Sequence, residues 1–154
     1  MKKIFLLIAI ISFCLTSTAQ ELTWHTDMAK ASELSIKEKK PLLLFFTGSD
    51  WCGWCIRLQK EVLKTPEFEK WAKENVILVE LDFPRRTPQD EAIKTQNYQM
   101  QNMFQVRGYP TVWFAYPEKT AEGKMNLKGL GSTGYVAGGP TNWINGASKI
   151  VANK

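Results

Sequence analysis

Cys52 and Cys55 stand three residues apart in Trp51-Cys52-Gly53-Trp54-Cys55, a spacing that puts two thiols on the same side of one helical turn. Thiols so placed can open a disulfide in another molecule and then release it, one sulfur attacking and the other resolving. The attacking species is a thiolate, so the first cysteine needs surroundings that lower its pKa from about 8.5, and a helix N-terminus supplies them. Competing roles for the pair are weaker. A bridge closing so short a loop removes little unfolded-chain entropy, which argues against a purely structural disulfide. A closed zinc site usually takes four Cys or His ligands, whereas the chain downstream of residue 19 offers Cys52, Cys55 and the single His25, so no metal is expected. Ile56 after Cys55 excludes the haem-attachment pattern, which requires histidine there.

Such a motif works only if a strand delivers it to the start of a helix. Leu42-Leu43-Leu44-Phe45-Phe46 contains no polar residue, as expected of a central strand buried on both faces, and Thr47-Gly48-Ser49-Asp50 turns the chain toward Cys52. From Cys52, apolar Ile56, Leu58, Val62 and Leu63 suggest a helix, broken near Thr65-Pro66, where Thr65 caps a second segment reaching Asn75. Upstream, a short strand over 22–24 precedes a helix capped by Thr26 or Asp27 and running to about Lys39. Downstream come a strand at Val76–Leu81, a helix from a capping box at Thr87–Asp90 to about Phe104, and a strand at Thr111–Tyr116. A hairpin through Pro117–Gly123, a strand at Lys124–Leu130, a glycine-rich stretch and a helix from Pro140 to about Val151 complete the chain. The order β-α-β-α-β-α-β-β-α predicts an α/β fold, a mixed central sheet with helices on both faces.

The Trp-Cys-Gly-Trp-Cys motif after an apolar strand, with Gly108-Tyr109-Pro110-Thr111 after a later helix, resembles the thioredoxin superfamily over roughly residues 22–152. The broken helix and the long stretch between Asp82 and Val106 look most like its secreted members, including the periplasmic domain of transmembrane disulfide reductases. The resemblance implies a thiol–disulfide oxidoreductase acting on protein thiols and disulfides without metal or organic cofactor. It implies Cys52 as the exposed nucleophile, Cys55 as the buried resolving thiol and Pro110 as a cis proline facing them. It also implies that the backbone of Tyr109 pairs with an extended substrate beside the Trp51, Gly53 and Trp54 surface. Two departures leave redox direction open: Gly53-Trp54 replaces the family's usual Gly-Pro, and Phe45 or Phe46 replaces its buried aspartate.

Cys55 must lose a proton when it resolves the mixed disulfide, and Glu80, the one charged residue of Val76–Leu81, is the candidate acid/base. The rings of Trp51 and Trp54 could collar an extended polypeptide, Trp54 from an exposed position, whereas Trp24, Trp71, Trp113 and Trp143 read as core or helix-face residues. Asp50 reads as a helix cap or solvated turn residue, and Arg85-Arg86 as a solvated pair without a role. The rival class is a non-catalytic, chaperone-like module that holds peptides at Trp54, Tyr109 and Pro110.

Lys2 and Lys3, an apolar run over Ile4–Leu15 and small Ser17-Thr18-Ala19 read as a signal peptide over residues 1–19, leaving one domain over 20–154. Twelve apolar residues fall short of the roughly 20 that span a bilayer. Bulky Phe13 argues against lipidation at Cys14. Without the leader's two lysines, 20 basic residues become 18 against 15 acidic ones, a net charge of +3. The lysines are scattered among glutamates, so no nucleic-acid surface is suggested. Export, to the bacterial periplasm or outside the cell, means an oxidising compartment, where a dithiol still acts as reductant if a membrane protein exchanges electrons with it.

Overall fold

A computed structural model describes residues 22–121 and 125–153. The expected leader at 1–19 and the Gly123 end of the hairpin lie outside the described residues.

The elements are β1 (Trp24–His25), α1 (Met28–Glu38), β2 (Leu42–Thr47), α2 (Gly53–Leu58), a π turn (Gln59–Leu63), α3 (Pro66–Asn75), β3 (Ile77–Asp82), α4 (Glu91–Met103), β4 (Thr111–Lys119), β5 (Met125–Thr133) and α5 (Gly139–Val151). They form one sheet in the order β1-β3-β2-β4-β5. β3 runs parallel to β1 and β2, while β4 lies antiparallel to β2 and β5. The mixed sheet carries helices on both faces, as the element order predicts.

All six residues of β2 are buried, because alternate side chains enter two different cores. Leu43 and Phe45 join Leu78, Val112 and Phe114 beneath α2, α3 and α5, a core that includes both cysteines. Leu42, Leu44 and Phe46 join Ile77, Val79 and Leu81 beneath α1 and Phe104. The strand that delivers the motif is thus the most enclosed in the molecule.

The helix break appears as a π turn followed by a fresh cap. Lys64 N–H reaches back five residues to Gln59 O, and the widened turn lets adjacent Val62 and Leu63 both face the core. Thr65 Oγ1 then donates to Val62 O and accepts from Phe68 N–H, closing one helical segment and opening the next.

Several boundaries differ from expectation. Asp27 rather than Thr26 caps α1, accepting from Ala29 and Lys30 N–H. Val76 closes α3 instead of opening β3. α4 is capped by Asp90, not by a box from Thr87, because Thr87 is held by Asp50. β4 and β5 run on to Lys119 and Thr133, since Pro117 lies beyond Ala115, the last β4 residue paired with β2. The expected glycine-rich loop therefore begins as strand. At Gly131 (φ +150°) an added Cβ would sit 3.0 Å from Ile150 Cγ2, so a glycine there lets α5 lie close on β5.

Candidate active site

The chain leaves β2 at Thr47 and turns at Gly48, whose carbonyl accepts from Trp51 and Cys52 N–H. A Cβ at Gly48 would lie 2.4–2.8 Å from the Trp51 indole, so the turn closes against the ring only because residue 48 is glycine. Cys52 is the N-cap of α2 and is joined to Cys55 by a disulfide of 2.06 Å. Its sulfur also lies 3.2 Å from Cys55 N–H, a donor that would face a thiolate there after reduction. Cys55 is fully buried and Cys52 keeps 6% of its surface, less than the exposed position expected for it. As N-cap, its side chain folds back over the first turn. Gly53 stands over open space, where an added Cβ would meet nothing within 4 Å.

Two loops are laced to this turn. Asp50 does not cap α2. Its carboxylate accepts from the N–H groups of Arg85, Arg86 and Thr87 at 2.8–3.0 Å, and from Thr87 Oγ1. Asp82, at the end of β3, accepts from Ser49 N–H, and Trp51 Nε1–H donates to Phe83 O. Tyr109 precedes Pro110 through a cis peptide bond, and its ring packs edge-on against Trp51 and stacks on Phe83. Burial above all pushes its phenol up to about 12, so it stays protonated at physiological pH.

The N–H of Arg85, followed by those of Arg86 and Thr87, holds the Asp50 carboxyl at about 2 against an ordinary 3.8. A depressed folded-state value means that this fastening is fully present above about pH 4 and is lost as pH falls through about 2. The backbone amide resonances of 85–87 should therefore titrate with a midpoint near 2, and a midpoint near 3.8 would show the carboxylate to be free.

On the other flank, Trp54 is 56% exposed and its ring lies 5.2 Å from that of Tyr135, in the loop after β5. The Arg57 guanidinium lies over both rings at 5.3–5.4 Å and pairs with Glu61, which also accepts from Tyr135 O–H. Tyr135 was not legible from sequence, since no local pattern announces a partner 81 residues from Trp54.

Glu80 sits opposite Phe45 in the sheet register and shares its face with Leu78, on the side of the cysteines. It is half-buried, and with Ile56, Gln59 and Lys64 it lines cavities beneath the α2–π segment. Burial, helped by the Asp82 charge, raises its pKa, and Lys64 opposes the rise. His25 lies half-buried in β1, on the far edge of the sheet.

A cysteine pair at the start of a helical run, delivered by the central strand of a mixed sheet and accompanied by a cis proline, defines a thiol–disulfide oxidoreductase of thioredoxin-like fold. A family model for the thioredoxin-like domain matches residues 28–130, and the chain belongs to that family. It is 36% identical over 119 residues to the disulfide bond reductase DsbH of Chlamydia pneumoniae, covering 77% of this chain and 71% of that protein. It is also 36% identical over 92 residues to the thioredoxin-related protein DsbJ of the same organism, a match spanning 60% of this chain and only 26% of DsbJ. Among solved structures, a DsbH oxidoreductase superposes with a TM-score of 0.72 at 34% identity, covering 86% of each chain. A Thermus thermophilus thioredoxin shares the fold with a TM-score of 0.60 at 16% identity, covering 84% of this chain and 86% of its own.

Proposed function

We propose that this thiol–disulfide oxidoreductase is exported and works as a reductant, opening disulfides in polypeptides. The observation that carries the reading is the Cys52–Cys55 pair at the head of the continuous helical run 53–63, with surface left only on Cys52.

In this reaction the Cys52 thiolate attacks one sulfur of a substrate disulfide, and the other sulfur departs as a thiolate and takes a proton. Cys55, deprotonated, attacks Cys52 Sγ and frees the second substrate thiol. The substrate gains two electrons and two protons, and the enzyme is left as the Cys52–Cys55 disulfide. A membrane electron donor, or a small dithiol in vitro, then reduces it. Trp51, Gly53, Trp54, Tyr109 and Pro110 form the surface on which the substrate chain lies, Gly53 keeping the first helical turn open.

The reductive direction is supported by the name of the reductase relative and by electrostatics. A dithiol becomes a strong oxidant when its reduced form is stabilised. No ionisable side chain stands between Cys52 and Cys55, and the groups that meet the Cys52 sulfur at the helix start are the helix terminus and Cys55 N–H. Equilibration with dithiol redox buffers should place the couple below about −200 mV, nearer the thioredoxin range than the roughly −120 mV of a dedicated oxidase. A value near −120 mV would reverse the assignment.

Glu80 serves as proton acceptor for Cys55 in the resolving step. Its pKa, raised chiefly by burial, makes it a better base than an ordinary carboxylate. The sign is opposite to that of Asp50: a carboxyl raised by burial favours the fold at low pH and penalises it as pH rises through the folded value. Glu80→Gln should therefore slow mixed-disulfide resolution and make the protein more stable at neutral pH. An unchanged resolution rate in stopped-flow kinetics would remove Glu80 from the mechanism.

Residues 1–19 act as the export signal in this reading. Among the described residues no helix is long and apolar enough to cross a membrane.

A further inference from the structure

The chain has four arginines, Arg57, Arg85, Arg86 and Arg107, against sixteen lysines, and all four fall on the segments that frame the cysteines. Arg57 is two residues past Cys55. Arg85 and Arg86 are in the loop that Asp50 fastens, and Arg107 is two residues before Tyr109. The lysines are spread around the fold.

Placement is more specific than proximity. Each tryptophan of the motif carries a guanidinium on its face, Arg85 at 3.6 Å from the Trp51 ring centroid and Arg57 at 5.4 Å from that of Trp54. Arg57 is neutralised by Glu61. Arg85, Arg86 and Arg107 are exposed and enter no ion pair among the described residues. Asp50, the acid that fastens this loop from the turn after β2, is spent on its backbone N–H groups, which fixes where Arg85 and Arg86 stand. A guanidinium seated on an aromatic ring has lost much of its freedom already, and its planar edge suits a carboxylate in a way a lysine ammonium does not.

We propose that Arg85, Arg86 and Arg107 form a recognition rim for acidic polypeptide segments, so that the enzyme prefers substrate disulfides flanked by Asp or Glu. This rests on the oxidoreductase reading and adds the substrate class. A carboxylate near the substrate cystine is steered to the rim, and its pairing there brings the disulfide to Cys52.

The test uses two disulfide peptides identical except for Glu or Lys on either side of the cystine, with a small dithiol as electron source and kcat/KM as readout. At low salt the wild type should turn over the Glu peptide about tenfold faster than the Lys peptide, and about 0.5 M salt should shrink that ratio. The Arg85→Gln/Arg107→Gln double variant should lower the ratio to about threefold or less. A Lys37→Gln/Lys149→Gln double variant removes equal charge from the far ends of α1 and α5, and should keep the wild-type ratio. Equal rates for the two peptides in the wild type, or the same ratio in both double variants, would overturn the rim while leaving the oxidoreductase reading in place. A rate lowered equally for both peptides in the arginine variant would also overturn it, since the arginines would then act on the enzyme's own thiolate. Failure of the wild type to reduce either peptide would overturn both readings.

Discussion

Trp143→Ala is expected to destabilise the protein by about 3–5 kcal/mol, the range for truncating a large aromatic side chain in a core that cannot fully collapse. Trp143 is 1% exposed in α5, and its ring meets those of Phe68, Trp71 and Phe114 at centroid distances of 5.8–6.4 Å. It therefore joins α3, α5 and β4 on the face of the sheet that holds the cysteines. Its Nε1–H also donates to Gly134 O, at the start of the loop that carries Tyr135 to Trp54. The variant should lose this tie as well, leaving a carbonyl without its donor. Urea unfolding followed by far-UV circular dichroism measures the loss, and a change below about 1 kcal/mol would mean that the aromatic cluster is not the mainstay of this core.

Replacing Cys52 by serine is expected to have the largest effect on activity, a fall of at least about a hundredfold in insulin reduction driven by a small dithiol. A serine hydroxyl is un-ionised at neutral pH and does not open a disulfide, and Cys55 has no exposed surface from which to take over. The fold should persist, because the Cys52–Cys55 bridge closes a loop too short to constrain the unfolded chain greatly. A peptide-holding module would behave otherwise: its Cys52→Ser form would retain full activity in a refolding assay.

The parts legible in the sequence were those dictated by local chemistry. Leu42–Phe46 reads as a strand covered on both faces, Thr65-Pro66 as the restart of a helix, and two cysteines at the strand-to-helix junction as a pair that bonds to each other or to another molecule. The illegible parts depend on partners distant in the chain. Asp50 offers the choices of any turn aspartate until β3 brings residues 85–87 beside it, and that capture takes Thr87 from the start of α4. Arg85 reads as a solvated charge until the same loop lays it on Trp51, and Tyr135 is silent until α5 fixes its loop against Trp54. The continuation of β5 past Leu130, through Gly131 to Thr133, escaped notice because glycine there serves close packing and not chain reversal.

The central claim is that Cys52 attacks and Cys55 resolves, and the most direct test is to remove the resolving thiol alone. Cys55→Ser incubated with a disulfide-bonded polypeptide should accumulate a covalent adduct through Cys52, visible by mass spectrometry and lost on adding a small dithiol. Cys52→Ser should form none. Absence of an adduct in Cys55→Ser, or its persistence when Cys52 is the residue replaced, would contradict the account.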